Sequence, residues 1–135
     1  MLGEKIGEET GKITGQRVLP DEDQPPKMEV SFQSTGKILG IDFSGTGTYV
    51  AALRPTGHLR GEGQGVWMTK DGEVVTWKGT GVGRPTGRGM AATWRGALYF
   101  QTTSSKLARL NGVCGTFEHE CDENGNVKSA LWEWK

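Results

Sequence analysis

The chain has 135 residues, and its sixteen Lys plus Arg balance sixteen Asp plus Glu, for a formal net charge of zero. That length suits one core, hence a single domain over 1–135, and the charge balance gives no electrostatic draw toward nucleic acid or an anionic membrane. A hydrophobic fraction of 34% with five Trp, four Phe and two Tyr excludes a chain too polar to fold. Glycine is the outlier, at 22 residues against a usual share of ~7%, and it is spread along the whole length.

In chain order, the charged start Met1-Leu-Gly-Glu-Lys-Ile-Gly-Glu-Glu-Thr10 lacks the apolar stretch of a signal peptide. No later run approaches the ~18 apolar residues of a spanning helix, so a cytoplasmic location is expected. Apolar residues alternate with polar residues or glycine from end to end, with no sustained helical period, which makes the class all-β. Strands are predicted near 4–19, 27–34, 37–53, 58–69, 73–83, 88–102, 112–122 and 126–134. Asp21-Glu-Asp-Gln-Pro-Pro26 reads as a loop. Asp71-Gly72 and Asn124-Gly125 are expected to form two-residue type I′ hairpins, and Arg84-Pro-Thr-Gly87 a further turn. Ser104–Leu110 is predicted as one short helical turn capped by Ser104 or Ser105. Cys114 and Cys121 are an odd number of residues apart on one strand, so they face opposite ways and stay unbridged, as in a reducing compartment. Eight short strands joined by tight turns point to a single antiparallel, mostly up-and-down eight-stranded β-barrel, which removes sheet edges.

The predicted turns set a register. Two-residue loops at Asp71-Gly72 and Pro85-Thr86 place Val66, Trp77 and Trp94 in one row, then Gln64, Gly79 and Ala92, then Glu62, Gly81 and Met90, and finally Arg60, Gly83 and Arg88. This face is taken as the interior, because side-chain direction has period two. Trp67 and Arg95 then lie outside, as a cation–π pair or as part of a subunit contact. Asn124-Gly125 treated alike pairs Phe117 with Trp132 and His119 with Ala130 on the same interior.

The resulting inner face grades from the tryptophans to a polar mouth of Arg60, Glu62, Gln64 and Arg88. Guanidinium groups there suit a ligand carboxylate, Met90 and the indoles suit an apolar body, and Glu62 or His119 are the candidate proton-transfer groups. A filled barrel with an ion cluster at its rim is the structural alternative. The glycine runs Gly61-Glu-Gly-Gln-Gly65 and Gly79-Thr-Gly-Val-Gly83 lack the spacing of phosphate-binding loops. With two histidines and no HExxH, neither a metal site nor a cofactor is expected.

Gly61-Glu-Gly-Gln-Gly-Val-Trp67, Trp77-Lys-Gly-Thr-Gly-Val-Gly83 and Arg95-Gly-Ala-Leu-Tyr-Phe100, with the Asp71-Gly72 hairpin, resemble the small eight-stranded barrels of the allene oxide cyclase, dirigent and wider calycin type. The resemblance covers most of the chain and lies in strand count and glycine rhythm. It implies the barrel fold and, as in such families, cofactor-free cyclases, carriers of lipid-like ligands and dimers or trimers. The leading expectation is a barrel that binds a small apolar or acidic ligand inside, with Arg60, Glu62, Gln64, Trp77, Arg88, Met90 and Trp94 around it. A cofactor-independent cyclase or isomerase in the same cavity, and a filled barrel serving as a homo-oligomeric assembly module, are the alternatives.

Overall fold

A computed structural model describes residues 2–20 and 26–135 and shows a closed antiparallel barrel in which each strand pairs with the next and the last with the first. The strands are β1 (Leu2–Leu19), β2 (Lys27–Ile38), β3 (Ile41–Leu53), β4 (Leu59–Thr69), β5 (Val74–Pro85), β6 (Ala92–Thr102), β7 (Cys114–Cys121) and β8 (Asn126–Trp134). All eight predicted strands are present, the largest differences being four residues each: β2 runs on to Ile38, β3 starts at Ile41 and β6 starts at Ala92. The expected loop at Asp21–Pro26 lies, apart from Pro26, outside the described residues. The helical turn is a 3-10 segment, η1 (Ala108–Gly112), entered from Leu107 with no side-chain cap. Ser104 instead donates its hydroxyl to the Glu73 carboxylate.

Turn geometry decides which residues face inward, and here the expected register is corrected. Thr69 N–H donates to Glu73 O (2.9 Å), Gly72 N–H donates to Thr69 O (3.0 Å), and Gly72 has φ +79°. That is a three-residue loop, Lys70-Asp71-Gly72, built as a type I turn with glycine in the left-handed position. Asp122-Glu-Asn-Gly125 repeats it: Asp122 N–H donates to Asn126 O (3.0 Å), Gly125 N–H to Asp122 O (3.2 Å), and Gly125 has φ +81°. The Asp122 carboxylate accepts from the N–H groups of Asn124 and Asn126, which favours this turn over type I′.

One extra loop residue moves the pairing by one, so β4 and β8 present the opposite faces to those expected. Gly65 opposes Trp77 and Phe117 opposes Leu131. Trp67 therefore belongs to the core, 3% exposed and stacked on Phe43 at 4.5 Å between ring centroids, instead of pairing with Arg95 outside. Trp132 and Ala130 occupy outward positions of β8, between the inward Val127, Ser129, Leu131 and Glu133. Between β5 and β6 the loop spans Thr86–Ala91, closed by Thr86 N–H donating to Ala91 O (3.0 Å). Pairing there shifts by an even number of residues, so Trp77 and Trp94 stay inside but oppose Phe100 and Gly83.

The inward glycines make room for rings. A methyl at Gly61 or Gly83 would come within 2.7 Å of the Trp94 indole, and one at Gly47 within 2.7 Å of the Phe32 ring. A strand glycine costs roughly 0.5–1 kcal/mol, and what offsets it here is aromatic packing against bare backbone. One end of the barrel is plugged by Leu107, Leu110 and Val113 from the η1 segment, packed with Ile38, Phe100 and Leu131. Among the described residues no helix is long and apolar enough to cross a membrane.

Candidate functional site

Aromatic packing does not fill the barrel completely. A cavity with about 70 Å³ of space for the centres of water-sized atoms is lined by Phe32, Tyr49, Trp77, Trp94, Leu98 and Phe117, together with Glu9, Trp67, His119 and Ser129. That is several times the ~10–15 Å³ needed to admit a single water, and it suits a few waters or a ligand of about one ring.

Each polar group reaches this space through strand alternation. On β3, Phe43, Gly45, Gly47, Tyr49 and Ala51 share the inward parity. Tyr49 packs against Phe32 and, edge-on at 5.7 Å, against Trp94. His119, on β7, is 7% exposed and lies 6.1 Å from the Tyr49 ring and 5.7 Å from Phe32. Its Nδ1 shares a 2.6 Å hydrogen bond with Ser129 Oγ, the Cα partner of His119 on β8. On β1, register shifts between Leu2 and Gly7 re-aim the chain so that Glu9 turns inward, 6% exposed. Its carboxylate accepts from Ser34 Oγ at 3.3 Å and from the Trp67 side chain.

Two polar atoms are left over. Tyr49 Oη and His119 Nε2 are buried with no hydrogen-bond partner among the described residues. Burial sets the protonation states of the three groups. Desolvation lowers the His119 pKa to about 4 and so keeps the ring neutral near pH 7, and it raises the Tyr49 phenol above its ordinary value. Desolvation also lifts Glu9 to about 7 against the opposing hydrogen bonds from Ser34 and Trp67. Among the described residues no Lys or Arg lines the cavity.

The residues expected at a polar mouth separate. Trp77, Trp94 and His119 lie within the barrel, and the first two flank the cavity as predicted inner-face residues. Arg60, Glu62 and Gln64 point outward from β4, because the three-residue loop inverted that strand. Arg88 is exposed in the β5–β6 loop, where its N–H donates to the Glu123 carboxylate at 3.0 Å. Met90, half-buried, packs against Phe32, Cys121 and Val127 near the barrel rim. Glu9 and Tyr49 were missed. Extending the alternation from Phe43 would have reached Tyr49, whereas the register shifts in β1 leave no pattern that singles out Glu9.

Cys114 and Cys121 are unbridged, and among the described residues no cluster of His, Cys, Asp and Glu could hold a metal ion.

No family model matches the chain, and no curated protein matches it at a significant level. Solved structures do. A protein of unknown function from Clostridium acetobutylicum is similar at 13% identity and TM-score 0.82, covering 98% of each chain. A β-barrel-like protein from Acinetobacter baumannii is similar at 12% identity and TM-score 0.83, covering 100% of this chain and 96% of that one. An enzyme from Penicillium herquei is similar at 16% identity and TM-score 0.69, covering 96% of this chain and 92% of that one. At these identities the likeness establishes the eight-stranded barrel fold.

Proposed function

We propose that the barrel binds a compact, mostly apolar small molecule with one hydrogen-bonding oxygen, which Tyr49 and His119 meet while Trp77, Trp94 and Phe32 enclose the rest. The observation that carries this is the pair of buried, unpartnered polar atoms facing one apolar cavity. An unmet buried donor or acceptor costs about 1–3 kcal/mol, and native proteins keep few of them. A ligand oxygen that accepts from Tyr49 Oη–H and His119 Nε2–H removes both costs at once. In that state the ring proton is on Nε2 and Nδ1 accepts from the Ser129 hydroxyl, 2.6 Å away.

An acidic ligand loses its support, since the arginines once expected around it lie outside the cavity and Glu9 lies in it. The resemblance to barrels of the allene oxide cyclase and calycin type, which include carriers of lipid-like ligands, belongs to this reading. A cyclase or isomerase role in the same cavity is compatible with one structural neighbour being an enzyme. Self-association is the second reading, favoured by the outward Val66 and Met68 on β4, Val74 and Val82 on β5, and Tyr99 on β6, all more than 40% exposed or at that value.

Titration with phenol and with cyclohexanone, followed by tryptophan fluorescence, tests the binding reading, because Trp77 and Trp94 flank the cavity. Saturable quenching is expected, accompanied by a ligand-dependent rise in melting temperature. Tyr49→Phe should weaken cyclohexanone binding several-fold. Absence of saturable binding by either probe, together with native mass spectra free of any carried molecule, would defeat the reading. Sedimentation at two concentrations reports on self-association.

A further inference from the structure

Binding leaves Glu9 without a part. Its Cα partner across β1 and β8 is Ser129, and Ser129 in turn partners His119 across β8 and β7. Glu9, Ser129 and His119 therefore stand side by side on three adjacent strands, with neighbouring strands about 4.8 Å apart, and all three line the cavity that Tyr49 also lines. A carboxyl group, a phenol and a neutral imidazole thus line one largely apolar cavity.

We propose that the cavity moves a proton on its ligand: the Glu9 carboxylate takes a proton from the carbon next to a ketone carbonyl while Tyr49 and His119 donate hydrogen bonds to the carbonyl oxygen. The C–H electron pair becomes a C=C bond and the carbonyl π pair moves onto oxygen, giving an enolate. Glu9, its carboxyl proton open to exchange with water, then gives a proton to the γ carbon, the carbonyl re-forms, and a β,γ-unsaturated ketone becomes its α,β-unsaturated isomer. Every atom and electron is accounted for within ligand and protein, so no cofactor enters.

The substrate class follows from the enclosure, a small unsaturated ketone of about one ring. This inference rests on the binding reading, since Tyr49 and His119 hold the same oxygen in both. The protonation states fit it. Burial leaves Glu9 near pH 7 in a state able both to take and to return a proton, whereas Tyr49 and His119 remain neutral donors. Other groups on the elements packed against Glu9 are Ser34 and Lys37 on β2, Trp67 on β4, Lys128 on β8, and Glu118 and Glu120 on β7. Lys5 and Glu8 flank it on β1. The charged members of this set line an outer groove that Glu9 also borders.

The test is conversion of 3-cyclohexen-1-one to 2-cyclohexen-1-one, followed by ultraviolet absorbance and by deuterium uptake from D2O, with cyclohexanone as the binding probe. Conversion above the buffer rate is expected, with kcat/KM rising as pH increases through about 7 and Glu9 ionises. Glu9→Gln, nearly isosteric, should lose about 10²-fold or more in kcat and keep cyclohexanone affinity within a few-fold. Tyr49→Phe should lower kcat by at least ten-fold, with near-ultraviolet dichroism confirming that both variants fold. Cyclohexanone binding with neither conversion nor deuterium uptake overturns the proton transfer and leaves binding intact. Failure to bind cyclohexanone overturns the proton transfer on a ketone; failure of phenol as well, with no carried molecule in native mass spectra, overturns the binding reading too; and full activity in Glu9→Gln overturns the role of Glu9.

Discussion

Glu9 and His119 pull on stability in opposite directions as pH changes. The His119 pKa, about 4 in the folded chain against an unfolded value near 6.5, means that the unfolded state binds the extra proton between those limits. Its contribution is therefore present above pH ~6.5 and lost as pH falls toward 4. For Glu9 the folded value of about 7 lies above the unfolded value of 4.5, so the folded state holds the extra proton. Its contribution is present below pH ~4.5 and lost as pH rises toward 7. Each is worth up to about 3 kcal/mol, and between pH ~4.5 and 6.5 the two slopes cancel. Urea denaturation across pH 4–8 should show a plateau over that range. Glu9→Gln should unmask a stability that climbs with pH from 4 to 6.5, and a plateau unchanged in this variant would contradict the burial argument.

Strand positions could be read from alternation, because each strand turns one face to the packed interior and the other to water. The face each strand turns inward could not be read so directly, since it depends on loop geometry to a single residue. Asp71-Gly72 and Asn124-Gly125 carry the usual type I′ pair, yet in each only the glycine takes a positive φ and the loop has three residues. Thr69 and Asp122, whose side chains accept from the N–H groups of Glu73 and Asn124, are the available hint. Arg54-Pro-Thr-Gly57 and Arg84-Pro-Thr-Gly87 have identical sequences and different outcomes. The first closes a three-residue loop with Gly57 at φ +85°, whereas the second begins a six-residue loop that packs against Glu123. Leu39, at φ 50°, begins the two-residue Leu39-Gly40 turn, a position propensity disfavours, and its side chain packs against the core. The site follows the same parity: the sequence register turns Trp77, Trp94 and His119 inward, where the structure has them, and also Arg60, Glu62 and Gln64, which the structure turns outward. Deleting Lys70 tests the point directly. A two-residue Asp71-Gly72 loop demands the other parity, so either Trp67 or Val75 must leave the core. The expected loss is about 3–5 kcal/mol in urea denaturation, as for removal of a buried tryptophan. Full stability in the deletion variant would show that the loop does not set the register.

At the scale of the molecule, closure makes the ladder a ring: β1 pairs β8 as it pairs β2, and no described strand has an open edge. A ring of strands has no privileged starting point, so connectivity should matter less than completeness. Leu2 and Trp134 are Cα partners, which puts the two ends of the ring seam side by side, within reach of a linker of three to five residues containing glycine. A circular permutant joined there and opened between Asp71 and Gly72, both exposed, keeps every strand pair and every cavity residue. It should give the parent far-ultraviolet dichroism and a cooperative melt, at a cost within about 3 kcal/mol for trading one closed loop for another. Truncation after Gly125 is the opposite case. It removes β8, bares the edges of β1 and β7, and takes Val127 and Leu131 from the core and Ser129 from beside Glu9 and His119. That variant should lose its cooperative transition and aggregate. A permutant that fails while the truncated chain melts cooperatively would mean that the β1–β8 seam is dispensable, and that the cavity does not depend on a closed wall.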